Sequence, residues 1–172
     1  LYLITLGGGT FLDQRYNLNY AAKDARDVAA LFSTGDVFNQ VHRKTLTDAA
    51  LTRENILGLR TFLNQAAIDD EVMIFFAGHG VLDGNLDYYF ATFDMNFNKP
   101  SGRGISYDEL EGLMDGIAPL KKILFIDACH SGELDKEEVQ SMEQSATRTE
   151  GIQFRAVGNR PEPRLDRKST RL

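Results

Sequence analysis

The stretch that decides the fold is Lys121-Lys122-Ile123-Leu124-Phe125-Ile126-Asp127-Ala128-Cys129-His130-Ser131-Gly132. Its apolar run over 121–128 is the pattern of a strand buried on both faces. Two earlier runs match it. Val72 to Ala77 is closed by Gly78-His79-Gly80, and Leu1 to Leu6 by Gly7-Gly8-Gly9. Between them the period changes from continuous to helical. Ala21, Ala25, Val28, Ala29 and Phe32 fall on one helix face, and so do Ile56, Leu59, Leu63, Ala66 and Ala67 behind a capping Thr52. A mixed strand is predicted near 37–46, a short hairpin arm over 86–93, and a helix from Ser106 to about Met114 opened by a Ser106/Glu109 capping box. Strands apolar on both faces that alternate with helices predict an α/β fold, a mostly parallel sheet with helices on both sides.

Composition sets the outer limits. The chain has 172 residues with 42% hydrophobic and 26% charged side chains, enough for one α/β domain with a real core. No run of eighteen apolar residues exists, so no membrane-spanning helix is expected. The single cysteine, Cys129, excludes an internal disulfide framework and a multi-cysteine zinc site. A net charge of -6 argues against nucleic acid as a partner. The chain starts on Leu1 inside an apolar run and reads as a segment of a longer protein. The Gly7-Gly8-Gly9 turn lacks the full G-x-G-x-x-G pattern, because Leu12 occupies its last position.

Beyond Gly132 the character changes. Residues 133–143 carry five acids and one base, while 144–172 carry seven bases and three acids. Phe154 is the one aromatic there. This predicts two parts: a catalytic segment over 1–132 and a polar linker or tail over 133–172, with room for a short helix at 135–146.

The chemistry is predicted where parallel strands end, because ligand sites gather at their carboxyl ends. His79 and Cys129 each stand just past an apolar run. A thiol beside an imidazole suits nucleophilic acyl transfer. Gly80 follows His79, and its N–H together with that of Cys129 forms a candidate oxyanion hole. Asp127 shares a strand face with Cys129 by alternation. A carboxylate at that mouth calls for a cationic partner or substrate, because a charge pair at 4 Å is worth about 4 kcal/mol at an effective dielectric of 20, before desolvation. His130 should face away from Cys129, which leaves His79 as the base, and His42 reads as a surface residue.

Together, Ala77-Gly78-His79-Gly80 and Asp127-Ala128-Cys129-His130-Ser131-Gly132 resemble the caspase-like cysteine peptidases, and within them the metacaspases and their bacterial relatives. The separation of 50 residues between His79 and Cys129 is the caspase spacing. Asn19-Tyr20-Ala21-Ala22-Lys23-Asp24-Ala25-Arg26 is similar to the segment that opens the first helix of that group. The resemblance implies a caspase-like three-layer sandwich, a Cys–His dyad and proteolysis. Caspases proper carry Gln where Asp127 stands, with arginine in the pocket. Asp127, and Asp24 as the second pocket acid, therefore imply cleavage of protein substrates after Arg or Lys.

Further expectations follow from the same resemblance. Several metacaspases use an acidic cluster for Ca²⁺, but Asp69, Asp70, Glu71, Asp83, Asp87 and Asp135 show no calcium-loop spacing, so no metal and no cofactor is expected. A companion small segment from the same precursor should pair with the strand at 121–128, which would otherwise leave an apolar edge exposed. Arg148, Arg155, Arg160, Arg164, Arg167, Lys168 and Arg171 suit the enzyme's own specificity and suggest activation by cleavage in or after the tail. A cytoplasmic location is expected from the reduced cysteine and the resemblance. The rival readings are an inactive interaction or regulatory module, and a transpeptidase or ligase using the same dyad.

Overall fold

A computed structural model describes residues 1–32, 37–130 and 153–156, with residues 129, 130 and 153–156 described as backbone only. Four parallel strands form the sheet: β2 (His42–Thr47), β1 (Tyr2–Gly7), β3 (Glu71–Leu82) and β6 (Lys121–His130), side by side in that order. A short β4 (Tyr88–Phe90) folds back antiparallel on the end of β3, and β5 (Ile105–Ser106) pairs with β4. An antiparallel β7 (Gln153–Ala156) lies against Ile123–Ile126 of β6. The helices are α1 (Ala21–Leu31), α2 (Arg53–Gly58), α3 (Arg60–Leu63) and α4 (Tyr107–Gly112).

Strand alternation divides the core into two layers. Tyr2, Ile4, Leu6, Val72, Ile74, Phe76 and Leu124 face one side, where they pack with Ile56, Leu59, Leu63, Leu110 and Met114 of the α2–α4 layer. Leu3, Met73, Phe75, Ala77, Ile123 and Phe125 face the other, and Ala21, Ala25 and Val28 of α1 cover part of it. Helix α1 comes close because β1 ends in Gly7. A Cβ there would lie 2.6 Å from the Ala21 carbonyl oxygen and 2.7 Å from the Ala25 Cβ. This is the three-layer α/β arrangement that the sequence pattern predicts.

Several local readings need correction. The predicted strand near 37–46 spans His42–Thr47 instead. The helix behind Thr52 is interrupted at Leu59, after Gly58, a weak helix former, and Ala67 is exposed rather than part of the buried stripe. His42 is half-buried and stacked on Tyr2 at 4.7 Å, not a free surface residue. The Thr52 cap and the Ser106/Glu109 capping box both form. The edge of β6, expected to stay open until a companion segment arrived, is paired over four residues by β7 from this chain's own tail, with Phe154 opposite Phe125. The remainder of 131–172, including Asp135 and the suggested helix at 135–146, lies outside the described residues.

Candidate active site

The largest revision concerns the strand ends. Neither β3 nor β6 stops at its glycine-flanked motif. β3 runs through Gly78-His79-Gly80 to Leu82, and β6 runs on to His130. Strand β1 leaves β3 at Gly8, whose N–H donates to the Ala77 carbonyl at 2.9 Å. Beyond that point β4 takes over, and the Ala91 N–H donates to the His79 carbonyl at 2.9 Å. The edge of β3 is thereby filled past the apolar run, and the strand persists. Gly78 makes the passage with φ of +156°, a conformation open to glycine, and a Cβ there would meet the Phe76 ring at 3.1 Å.

Within this extended ladder His79 is the register partner of Cys129, and Ala77 of Asp127. Directly opposed residues on parallel strands share a face. His79, Cys129 and Asp127 therefore belong to the side covered by α1, the helix that carries Asp24. Asp24 and Asp127 are each half-buried. The Cys129 side chain, and that of His130, lie outside the described residues.

His79 is half-buried, and its Nε2 lies 2.8 Å from the Tyr16 carbonyl oxygen. A carbonyl can only accept, so Nε2 carries the hydrogen and, in the neutral ring, Nδ1 holds the lone pair. Aromatic rings surround the imidazole: Phe11 at 5.6 Å, Phe97 at 5.7 Å and Tyr16 at 6.3 Å between centroids. Sequence reasoning missed all three. Each comes from a loop or single turn distant from His79 in the chain, and no local period marks it.

Gly80 has a steric role that the sequence did not reveal. An ideal Cβ on it would stand 1.7 Å from the Tyr88 hydroxyl oxygen, so the space of a side chain is already occupied by the tyrosine. The Ala77 and His79 carbonyls face β1 and β4, so by alternation Gly78 and Gly80 face β6. The register directs the Gly80 N–H toward the Cys129 carbonyl and the Cys129 N–H toward the Gly78 carbonyl.

Three of the acidic residues weighed for calcium have local work. Asp70 accepts from the Ala67 N–H at 2.8 Å, Asp83 from the Asn85 and Asp87 N–H groups at 2.8 and 3.1 Å, and Glu71 pairs with Lys121 at 2.6 Å. Among the described residues, no three His, Cys, Asp or Glu side chains are grouped to hold a metal ion. Nor is any described helix long and apolar enough to cross a membrane.

Fold and site motifs thus converge on one class, the clan of caspase-like cysteine peptidases. The chain belongs to the caspase domain family of peptidases C14, which it matches over residues 4–169. The match includes most of the tail. Among solved structures, the chain is similar to the Geobacter sulfurreducens protein GSU0716, with 24% identity and a TM-score of 0.59, a likeness of fold. That alignment covers 81% of this chain and 54% of the other, so the chain spans about half the length of that structure. No curated protein matches.

Proposed function

We propose that this chain is the catalytic segment of a cysteine endopeptidase that cleaves protein substrates after Arg or Lys, with Cys129 as nucleophile and His79 as base. The observation that carries the reading is the β3–β6 register, in which His79 and Cys129 are direct partners. The Tyr16 carbonyl supports it, because an acceptor at Nε2 puts the hydrogen of the neutral ring there and makes Nδ1 the basic nitrogen.

Nδ1 of His79 takes the Cys129 proton, and the sulfur attacks the carbonyl carbon of the scissile bond. The tetrahedral oxyanion is held by the N–H groups of Gly80 and Cys129. Each such donor is worth about 10²–10³ in rate. Collapse breaks the C–N bond, and the leaving amine takes the proton from His79. Water, deprotonated by the same imidazole, then attacks the thioester, which releases the acid and restores the thiol. Because the register turns both N–H groups into the sheet, the ends of β3 and β6 must part at Gly80 and Cys129 before the hole can form. Asp24 and Asp127, both on the α1 side, would receive the substrate's cation. No metal is assigned a role.

The test uses fluorogenic peptides with Arg, Lys, Asp or Leu before the scissile bond. They are assayed on the chain in its full-length precursor, before and after processing, beside Cys129→Ala. Turnover after Arg and Lys that vanishes in the variant is the expected result. Turnover only after Asp would keep the peptidase and overturn the roles of Asp24 and Asp127. Silence before and after processing would favour an interaction module.

A further inference from the structure

We infer that Phe97 is a positioning residue that holds His79 and the Tyr16 carbonyl together as one unit; this rests on the proposed role of His79 as base. The ring of Phe97 lies on Tyr16 at 3.6 Å with 8° between planes, a parallel stack. The same ring meets His79 edge to face at 5.7 Å and 85°, and Phe11 at 5.4 Å and 80°. One side chain therefore touches both the imidazole and the residue whose carbonyl takes its Nε2–H.

Tyr16 needs that support. It ends a three-residue turn, Gln14–Tyr16, which contains no buried residue. A single 3₁₀ turn has little stiffness of its own. Phe97, by contrast, is only 9% exposed although it sits in a loop. Its loop is tied down at several points. The Leu12 N–H donates to the Phe93 carbonyl at 2.9 Å and the Phe93 N–H to the Leu51 carbonyl at 2.8 Å. Thr92 donates to the Arg103 carbonyl at 3.0 Å, and Asp94 pairs with Arg103. The loop starts at Ala91, which is bonded to His79 itself. Beyond the turn the chain is tied by Asn17, whose Oδ1 accepts the Phe11 N–H at 2.9 Å, and by the Leu18 N–H on the Gly9 carbonyl at 2.8 Å, and Phe97 is the fixed flat surface against which Tyr16 itself is stacked. Removing it frees the Tyr16 carbonyl to drift from Nε2, so that the imidazole loses the hydrogen bond that selects its tautomer and aim.

Alkylation of Cys129 by iodoacetamide, followed on its own peptide by mass spectrometry, reads the dyad without needing turnover. The rate is followed against pH in the wild type, His79→Ala, Phe97→Ala, Phe97→Leu and Phe97→Tyr, with kcat and KM measured on an Arg peptide and the melting temperature recorded for each. The expected result is that Phe97→Ala and Phe97→Leu move the alkylation profile toward that of His79→Ala and lower kcat on the order of tenfold or more with KM little changed, as a misaimed base does. Phe97→Tyr, which keeps the flat face, stays near wild type. Should Phe97→Ala fail to fold, Phe97→Leu carries the test. A wild-type alkylation profile in folded Phe97→Leu overturns the positioning role. If His79→Ala itself matches wild type, the assignment of the base falls, and the role of Phe97 with it.

Discussion

The Gly80 backbone lies directly beneath the Tyr88 hydroxyl: an ideal Cβ at Gly80 would be 1.7 Å from that oxygen and 2.2 Å from the ring carbon that bears it. The two residues sit on adjacent antiparallel strands, where Leu82 opposes Tyr88 and Gly80 opposes Phe90. The glycine after His79 is therefore a packing requirement as well as a candidate donor of an N–H.

This separates two reasons for the glycine. Gly80→Ala must push Tyr88 aside and is expected to cost about 1–3 kcal/mol, the range of an overpacked core site. Adding Tyr88→Ala removes the clash. The double variant should melt higher than the sum of the two single losses predicts, a coupling read by a double-mutant cycle of thermal denaturation. Simple additivity would show that the tyrosine does not occupy that space in solution.

The pair of acids on the α1 side carries the specificity argument. Asp127 is the register partner of Ala77, two residues before His79. Asp127→Asn and Asp24→Asn keep size and remove charge. Each is expected to reduce kcat/KM for Arg and Lys peptides by tenfold or more, well within the ceiling of about 4 kcal/mol for a close pair at an effective dielectric of 20. The rate on an uncharged residue at the same position should change little. Equal losses on Arg and Leu peptides would instead make the two acids structural.

Acid stability has a nameable contributor on the opposite face. Burial raises the Glu109 carboxyl's pKa, but the Arg53 guanidinium and the Ser106 N–H outweigh it and hold the group below its ordinary value. A depressed folded pKa stabilises above the unfolded one and loses that contribution as pH falls through the folded value. Glu109→Gln keeps the capping geometry, since glutamine also serves at that position. It should be less stable than wild type at neutral pH, and the gap should close below about pH 4, near the ordinary glutamate value. Urea midpoints across pH would show this, and a gap constant with pH would remove Arg53–Glu109 as the cause.

The apolar runs of β1 and β3 each mark a strand buried on both faces, and burial is what sequence periodicity reports; the run of β6 marks a strand too, but one buried at Leu124 and only half-buried over the rest of 122–128. The Ser106/Glu109 box is equally plain, because its partners are three residues apart. Strand ends were not legible. Whether β3 stops at Ala77 or runs to Leu82 depends on β4 arriving to fill the edge that β1 leaves, a contact made by a later part of the chain. The aromatic ring set around His79 was hidden for the same reason, since Phe11, Tyr16 and Phe97 come from two separate loops. Strand β7 was hidden by composition: four residues with one aromatic, in a tail rich in charge, do not announce a strand.

That strand changes the argument about processing. Of the basic residues in the tail, Arg155 is placed in β7, opposite Leu124 of β6. A peptidase binds its target as an extended chain whose backbone it must reach, and the pairing of β7 with β6 denies that access. If the chain processes itself after basic residues, the cut should fall at Lys136, at Arg148 or at Arg160 and beyond, and spare Arg155. Intact-mass and peptide mapping of purified protein, compared with Cys129→Ala, checks this. Cleavage at Arg155 in wild type alone would mean that β7 leaves the sheet before processing. Identical cut sites in Cys129→Ala would mean that another peptidase does the work.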